Sequence, residues 1–586
     1  MPLKDNNSPI IEKVNYNSFS EKAIKDKNLS EKDEQLLLDY PTVYIIDDEI
    51  SGNKKHNYSV YVGETSDINR RTQQHKSDTT REDFKRLRKS ETSEMYIIGH
   101  RYFNKSLTLD IENKLLQYLL SSESVKNVSN RRGNPQNDYY TSDMMDSIFS
   151  KVWRKLHSLN SVLFPLESVI RDSALFKASP FHKLTKEQNN AKNEIILRIL
   201  SILSQNMDGE LILVEGEAGS GKTVLMSSLL YELFNSDELP IDKDKVSIHL
   251  LVNHEQQLTV YQQLAKKLGL NNKNGVDVVM KPTSFINLQS KTNSKADIVI
   301  VDEAHLLLTQ GKQSYRGKNH LKDLLANAKV VVAVFDENQI LTTEQIWEND
   351  DLAEIRLDAQ YIVSLRNQMR INAQQSTIDW IRSLVDKQVI YPFRKDDKYD
   401  FRVFDSPQEM YEAIKEKNQD QEHGISRMLA TYDWKYKQNG KPEDDQYWNV
   451  TIGDFSMPWN LQLPKDKATK NLSWAEQKQT IAEVGSTYTI QGFDLNYAAV
   501  IIGPSVKYCD GKIIFDPSAS CNEKAIRNRT LADGTKMKFG ETLLRNELNV
   551  LLTRGVNGLY LFAVDEELQK ALKEAMSKEK ILKEYF

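Results

Sequence analysis

Two cysteines, Cys509 and Cys521, stand in a chain of 586 residues. A disulfide framework or a cysteine-built zinc cluster needs more, so both are excluded and the chain reads as intracellular. No stretch reaches the apolar length that a bilayer crossing requires. Residues 1–17 are polar and lack the apolar centre of a secretory leader, so the expectation is a soluble cytoplasmic protein with no membrane partner. An excess of positive charge is missing too. The formal net charge is −5, which excludes a generally basic coat for nucleic acid and confines such binding to local patches. The length implies about three or four domains, with material for several cores.

What is present begins with Gly216-Glu217-Ala218-Gly219-Ser220-Gly221-Lys222-Thr223, which follows the apolar run Leu211 to Val214 and opens an apolar segment from Val224 to Phe234. Strand, glycine-rich turn and helix are the context of a phosphate-binding loop. The glycines at 216, 219 and 221 let the backbone N–H groups of this turn, that of Ser220 included, curl around phosphates. The helix start adds partial positive charge, Lys222 reaches the outer phosphates, and Thr223 ligates magnesium. ATP with magnesium is the expected cofactor. A second apolar run, Ile298 to Val301, ends in Asp302-Glu303-Ala304-His305. Adjacent carboxylates closing a buried strand are costly without a cation, so Asp302 is assigned to the magnesium and Glu303 to the attacking water.

The order of motifs resembles a superfamily 1 helicase of the Schlafen-like, bacterial uncharacterised branch, over roughly residues 180–565. Leu184 to Gln188 is similar to the family's Q motif, with Gln188 reading the adenine edge. Val330 to Phe335 followed by Asp336-Glu337-Asn338-Gln339 is similar to motif III, with Gln339 sensing the outer phosphate. Leu365 to Arg370 and Asn549 to Gly555 resemble motifs IV and VI, which carry arginine fingers in Arg370 and Arg554. Thr487 to Asp494 resembles motif V and puts Gln491 and Gly492 among the nucleotide-binding residues. The resemblance implies two RecA-like lobes, with both arginines on the second, so that hydrolysis depends on closure. Guanidinium groups suit the charge that develops on a phosphoryl group in transfer.

A separate constellation occupies the first 140 residues. Thr42 to Ile46 and Ser59 to Thr65 read as a hairpin with a polar turn, and Arg71 and His75 share one helix face at i, i+4. Glu112 lies in the periodic segment Leu107 to Leu120, with Asn130 in a later polar loop. These residues resemble the GIY-YIG nuclease domain over about 40–135. The family's tyrosines map to Tyr44 and Tyr61, its arginine to Arg71, its histidine to His75, its metal-binding glutamate to Glu112 and its asparagine to Asn130. The resemblance implies a divalent cation on Glu112, magnesium with manganese as its substitute. It also implies water activated by a tyrosine with the metal's help, and an oxyanion neutralised by Arg71. Two features depart from the family: Thr42 replaces a glycine, and the tyrosines are farther apart, which a longer hairpin loop absorbs. The alternative is plain structure, with strand aromatics on a small core and solvated charges. The basic run Arg70, Arg71, Lys76, Arg81, Lys85, Arg86, Arg88 and Lys89 is either a phosphate-binding patch or a solvated face.

The expected fold class is α/β, a small mixed α/β GIY-YIG-like domain followed by two RecA-like parallel-sheet P-loop lobes. The boundaries are a polar extension at 1–39, the GIY-YIG-like domain at 40–139, a helical connector at 140–180, a first lobe at 181–355 and a second at 356–586. An insertion at about 433–478 carries Trp434, Trp448, Trp459 and Trp474, which either stack on bases or pack internally, packing being favoured. The expected activity is ATP-driven movement on or remodelling of nucleic acid, DNA ahead of RNA, with metal-dependent cleavage by the first domain. The combined architecture resembles bacterial genome-defence effectors. Three alternatives stay open: a repair or remodelling motor whose first domain only binds, an ATP-gated sensor nuclease that does not unwind, and an RNA-directed enzyme. A protein partner or an oligomer is open as well.

Overall fold

The computed structural model describes residues 8–584 except 51–55, 130–138, 217–218, 237, 242–244, 273–274, 293, 312–314, 366–367, 369, 420–424, 438–439, 466–471 and 532. Asn130, Glu217 and Ala218, and Arg366, Asn367 and Met369 ahead of Arg370, thus lie outside the described residues. The chain divides into two compact units. One gathers residues up to 185 with 226–237 and 260–278; the other holds 186–225, 238–259 and 279 onward.

The first unit is built on strands β1 (Ile10–Asn15), β2 (Thr42–Glu49), β3 (Tyr58–Thr65), β4 (Glu94–Gly99) and β5 (Val125–Ser129), in the order β1-β4-β2-β3-β5. The β3–β5 pair is parallel and the other three pairs are antiparallel. In the β2–β3 register Tyr44 lies opposite Gly63 and Ile46 opposite Tyr61, so all four share one face of the sheet. That face, continued by Met95 and Ile97 of β4, packs on Tyr16, Leu37, Ile68 and Phe84.

One part of this unit differs from the sequence expectation. Residues 1–39 were expected as a polar extension, yet Ile10–Asn15 is an edge strand in register with β4, because Ile11 and Val14 bury against the core among the polar residues. A helix follows at Glu31–Leu38, capped by the Ser30 hydroxyl, which accepts from the Asp33 N–H at 3.2 Å. The 140–180 connector packs into the unit's core. Phe149 and Trp153 of its helix Met145–Leu159 meet Tyr118 with ring centroids 4.6 and 4.8 Å away. Tyr118 sits on helix Lys105–Ser121, which also carries Glu112. At that helix's C-terminal end the half-buried Lys267 donates to the carbonyls of Leu120 and Ser122, at 2.8 Å each. Burial pulls Lys267 down to about 7.

The second unit holds two parallel sheets. In one, strands β6 (Glu210–Gly216), β7 (Ile248–Leu251), β8 (Val279–Met280), β9 (Ala296–Val301), β10 (Ala328–Phe335) and β11 (Tyr361–Leu365) take the order β11-β6-β10-β9-β7-β8. Leu211, Leu213, Val299, Val301, Val331 and Ala333 form its core, the apolar-run signature of strands covered on both faces. Further on come β12 (Asp400–Val403), β13 (Ser426–Ala430), the antiparallel hairpin β14 (Asn449–Ile452) and β15 (Phe455–Pro458), then β16 (Val484–Gly485), β17 (Leu495–Ile502) and β18 (Gly555–Ala563). The second sheet orders them β12-β18-β17-β13-β16. The boundary expected at 355/356 moves as a result. Tyr361–Leu365 pairs with β6, so it extends the first sheet, and the second begins at β12.

The tryptophans of the 433–478 insertion pack internally. Trp459 lies in a core with Met428, Val450, Phe455 and Val484, and its indole N–H donates to the Lys435 carbonyl at 3.3 Å. Trp474 is likewise fully buried, and the half-buried Trp434 and Trp448 donate to the carbonyls of Thr451 and Gly440. Trp459 and Trp474 therefore leave no ring face for a base to stack on.

One buried group makes the first unit sensitive to pH. Asp47, on β2 opposite Glu94, is 2% exposed, and its Oδ1 has no hydrogen-bond partner. Burial and then Glu94 push it up to about 8, against a pull from Lys13. A folded value above the unfolded one means its contribution to stability is fully present below about pH 4 and is lost as pH rises towards 8. Asp47→Asn removes that loss. In unfolding measurements on the full chain it is expected to be the more stable protein at pH 8 by roughly 5 kcal/mol, with the advantage gone near pH 4.

Candidate functional site

On the first unit's sheet, Tyr44 Oη and His75 Nε2 are 2.7 Å apart, with both side chains buried. Asp67 starts the helix Ile68–Ser77, its carboxylate accepting from the Arg70 N–H at 2.9 Å, and this sets Arg71 and His75 over the tyrosines. Tyr61 lies edge-on to His75 at 5.1 Å, and Phe84 covers the imidazole at 4.1 Å. Burial, then Arg71 and Arg81, hold His75 down at about 3, so its ring is neutral. Burial and Tyr61 push the Tyr44 phenol well above its ordinary range, while Arg71 pulls it back. The proton therefore rests on Tyr44, and Arg71 is the group that eases its release. Gly63 belongs to this arrangement, although sequence reasoning left it out. A Cβ there would lie 2.5 Å from Tyr44 Oη, so only glycine lets the phenol cross β3.

Glu112 stands apart from this cluster. It is buried on helix Lys105–Ser121, where Lys105 and Thr108 meet the carboxylate of Glu64. Glu64 is in register with Val43 and so points to the side of β3 opposite Gly63. Tyr44, Tyr61, Arg71 and His75 converge, and Glu112 comes from the helix across the sheet. Among the described residues no group of three or more acidic, histidine or cysteine side chains gathers as a metal cage. One carboxylate fits magnesium, which keeps most of its waters and takes the rest of its shell from a substrate phosphate. In the basic run, Arg81 pairs with Asp83, Lys85 with Glu82 and Arg86 with Asp48, while Lys76 donates to the Asn17 carbonyl. Much of that charge is spent within the unit.

In the second unit the phosphate loop, Asp302-Glu303 and Asp336 to Gln339 follow the carboxyl ends of the parallel strands β6, β9 and β10, where ligands bind in open α/β sheets. Gly219 and Gly221 have φ of +90° and +74°. A Cβ on Gly219 would lie 2.7 Å from Arg370 Cβ, so the turn needs glycine for its conformation and for the arginine's approach. Gln188, on helix Lys186–Ser204, donates to the Ser220 carbonyl at 3.0 Å and holds the turn. Thr223 follows Lys222 in the first turn of helix Lys222–Asn235. The buried Lys222 ammonium donates to the Gly216 carbonyl at 2.5 Å and to Asp336 Oδ2 at 3.3 Å. Burial pushes Asp336 up, but Lys222, His305 and Gln339 together outweigh it and hold the carboxyl below its ordinary range.

Asp302, 1% exposed, accepts from Gln257 Nε2 at 2.9 Å. Glu303 has left-handed backbone angles, φ 53° and ψ 49°, a strain of about 1–2 kcal/mol for a residue with a side chain. Its Oε2 is 3.2 Å from Nε2 of His305, whose ring burial keeps neutral. Gln339 Nε2 donates to Asp336 at 2.6 Å, and its Oε1 accepts from Arg554 Nη2 at 3.3 Å. Gln491 donates to the Gln339 carbonyl at 3.3 Å, and Gly492 follows with φ +82°. Arg554 is fully buried and also donates to the carbonyls of Val550 and Phe493. Burial and Arg370 pull it down to about 9. Two guanidiniums crowded out of water make a place for an anion. Arg370 pairs with Asp494 at 2.5 Å and keeps a buried Nη1 without a hydrogen-bond partner. It follows β11, so one of the two arginines expected on the second lobe belongs to the first sheet's last connection. Asp336, His305, Gln257 and Asp494 were not singled out from the sequence. Asp336 had a legible signal, an acid closing an apolar strand as Asp302 does.

The second unit is thus a P-loop unit of helicase type, preceded by a small nuclease-like sheet domain. The family model for the Schlafen group 3, DNA/RNA helicase domain matches residues 209–565, and that for the GIY-YIG catalytic domain matches residues 40–124. The chain belongs to the Schlafen group 3 helicase family and carries a GIY-YIG domain. It is 35% identical over 430 residues to the uncharacterised protein YPL245W of Saccharomyces cerevisiae, covering 66% of this chain and 90% of that one. Solved structures similar to it include the arterivirus nonstructural protein 10 helicase with DNA, at 13% identity and TM-score 0.27, covering 64% of this chain and 65% of that chain. Another is the Pif1 helicase of Candida albicans, at 12% identity and TM-score 0.27, covering 69% of this chain and all of that one.

Two substitutions test the geometry. Gly63→Ala is expected to displace the Tyr44 phenol from His75, seen as a changed imidazole environment by NMR, and to lower any cleavage activity at least tenfold. Arg554→Lys loses the fork that meets Val550, Phe493 and Gln339. ATP turnover is expected to fall about 1,000-fold, with ADP affinity within a factor of three of the parent.

Proposed function

We propose that this chain is an ATP-dependent nuclease–helicase, with the second unit moving along or remodelling nucleic acid and the first cutting it. DNA is the proposed substrate, and disposal of foreign nucleic acid the proposed setting, a reading supported by the pairing of a cutting domain with a motor. The observation that carries the proposal is the run of contacts from Lys222 through Asp336 and Gln339 to Arg554. It links the phosphate loop of the first sheet to an arginine immediately before β18 of the second.

In this reading Lys222 and the turn's N–H groups hold the outer phosphates, Thr223 and Asp302 hold magnesium, and Glu303 orients the attacking water. Magnesium, when bound, neutralises charge on the phosphate oxygens. Arg554 and Arg370 meet the charge that develops there, and release of Lys222 from Asp336 leaves Gln339 free to report the change to Gln491. Lobe closure is then tied to the state of one anion. In the first unit Arg71 would neutralise the scissile phosphate, Tyr44, held by His75, would orient and activate the attacking water, and Glu112 would anchor the divalent cation.

The deciding experiment is cleavage of labelled single- and double-stranded DNA and RNA, with magnesium or manganese, with and without ATP. Glu112→Ala is expected to abolish cutting and keep ATP hydrolysis, while Lys222→Ala abolishes hydrolysis. If wild type cuts no substrate while hydrolysing ATP, the first domain is a binding module. If RNA alone is cut, the DNA assignment falls. If cutting needs ATP but no strand is displaced, the second unit is a gate and not a motor.

A further inference from the structure

The loop after β7, Val252-Asn253-His254, and the helix Glu255–Leu268 that follows lie outside every motif assigned above. Asn253 Nδ2 donates to the Leu306 carbonyl at 2.8 Å, which fixes this loop against the segment that carries Asp302 and Glu303. Gln257, in the first turn of the helix, is 4% exposed and donates through Nε2 to Asp302 Oδ2 at 2.9 Å. A carboxylate only accepts, so this contact settles which way the amide faces. The other end, Oε1, is buried with no hydrogen-bond partner. It lies 3.3 Å from where a Cβ on Gly492 would stand, so a glycine there leaves it room.

A buried amide oxygen without a donor is a cost that a structure keeps for a reason. We infer that Gln257 is a positioning residue for the magnesium of the nucleotide site: its N–H holds the Asp302 carboxylate in one orientation, and its free Oε1 is the acceptor left for a water of the bound ion. Groups that orient a metal-holding carboxylate typically change metal affinity by 10–100-fold when removed. The inference rests on the assignment of Asp302 to magnesium.

The test measures the affinity of the full chain for a fluorescent, non-hydrolysed ATP analogue with excess magnesium and again with EDTA. It compares wild type, Gln257→Met, Gln257→Ala and Asp302→Asn. Methionine keeps the volume of glutamine and removes both polar ends, so it reports on the hydrogen bonds even if the alanine variant fails to fold. Wild type is expected to bind tighter with magnesium. Gln257→Met should lose about tenfold of that tightening with unchanged affinity in EDTA. Equal weakening in both conditions would mean that Gln257 only supports the fold, and would overturn the inference. Gln257→Met with the wild-type ratio, beside an Asp302→Asn that has lost it, would also overturn it and leave Asp302 in place. If Asp302→Asn keeps the wild-type ratio, the assignment of Asp302 falls first and the role of Gln257 goes with it.

Discussion

The buried ammonium of Lys222 is the constraint on which the second unit depends. A cation out of water must be matched, and here Gly216 and Asp336 match it. Asp336 in turn orders Gln339, which meets Arg554. Because Asp336 is committed to a positive partner, its carboxyl stays ionised despite burial. The network sets three cationic groups, Lys222, Arg370 and Arg554, among four carboxylates, Asp302, Glu303, Asp336 and Asp494. It fits a ligand that brings negative charge and a counter-ion together.

Strand ends do most of the positioning. Each of β6, β9 and β10 delivers a motif at the same edge because their registers are locked in parallel, Glu215 beside Phe335 and Val301 beside Ala333. In the first unit the β2–β3 register does the corresponding work, aligning Tyr44 with Gly63 and Tyr61 with Ile46. The two sites differ in how they treat charge. The nucleotide site buries ion pairs, whereas Tyr44 and His75 are both kept neutral.

The apolar runs that became β6, β9, β10 and β17 were legible because a parallel strand covered on both faces has few polar residues, and the motifs follow directly from their ends. The β2–β3 hairpin was legible from its flanking turn residues. Three things were not. The edge strand at Ile10–Asn15 buries only Ile11 and Val14 of its six residues, too weak an alternation to stand out from a polar terminus. The placing of β11 in the first sheet depends on pairing with β6, which is nonlocal. The positions of Gly63, Gln257 and His305 depend on what lies across a strand or loop, and no spacing encodes that. Glu112 was found in its helix, but the side of the sheet from which it comes follows from Glu64 and Val43.

The N-terminal strand bears on how the GIY-YIG domain can be isolated. A fragment that begins near residue 40 carries every matched motif of that domain, yet it leaves β4 with one side unpaired. The N–H and C=O groups that met Ile10–Asn15 then line an open edge of buried, largely apolar sequence, Met95 to Ile98. Such an edge recruits further strands. Self-association of that fragment would report a missing neighbour and not a property of the native chain.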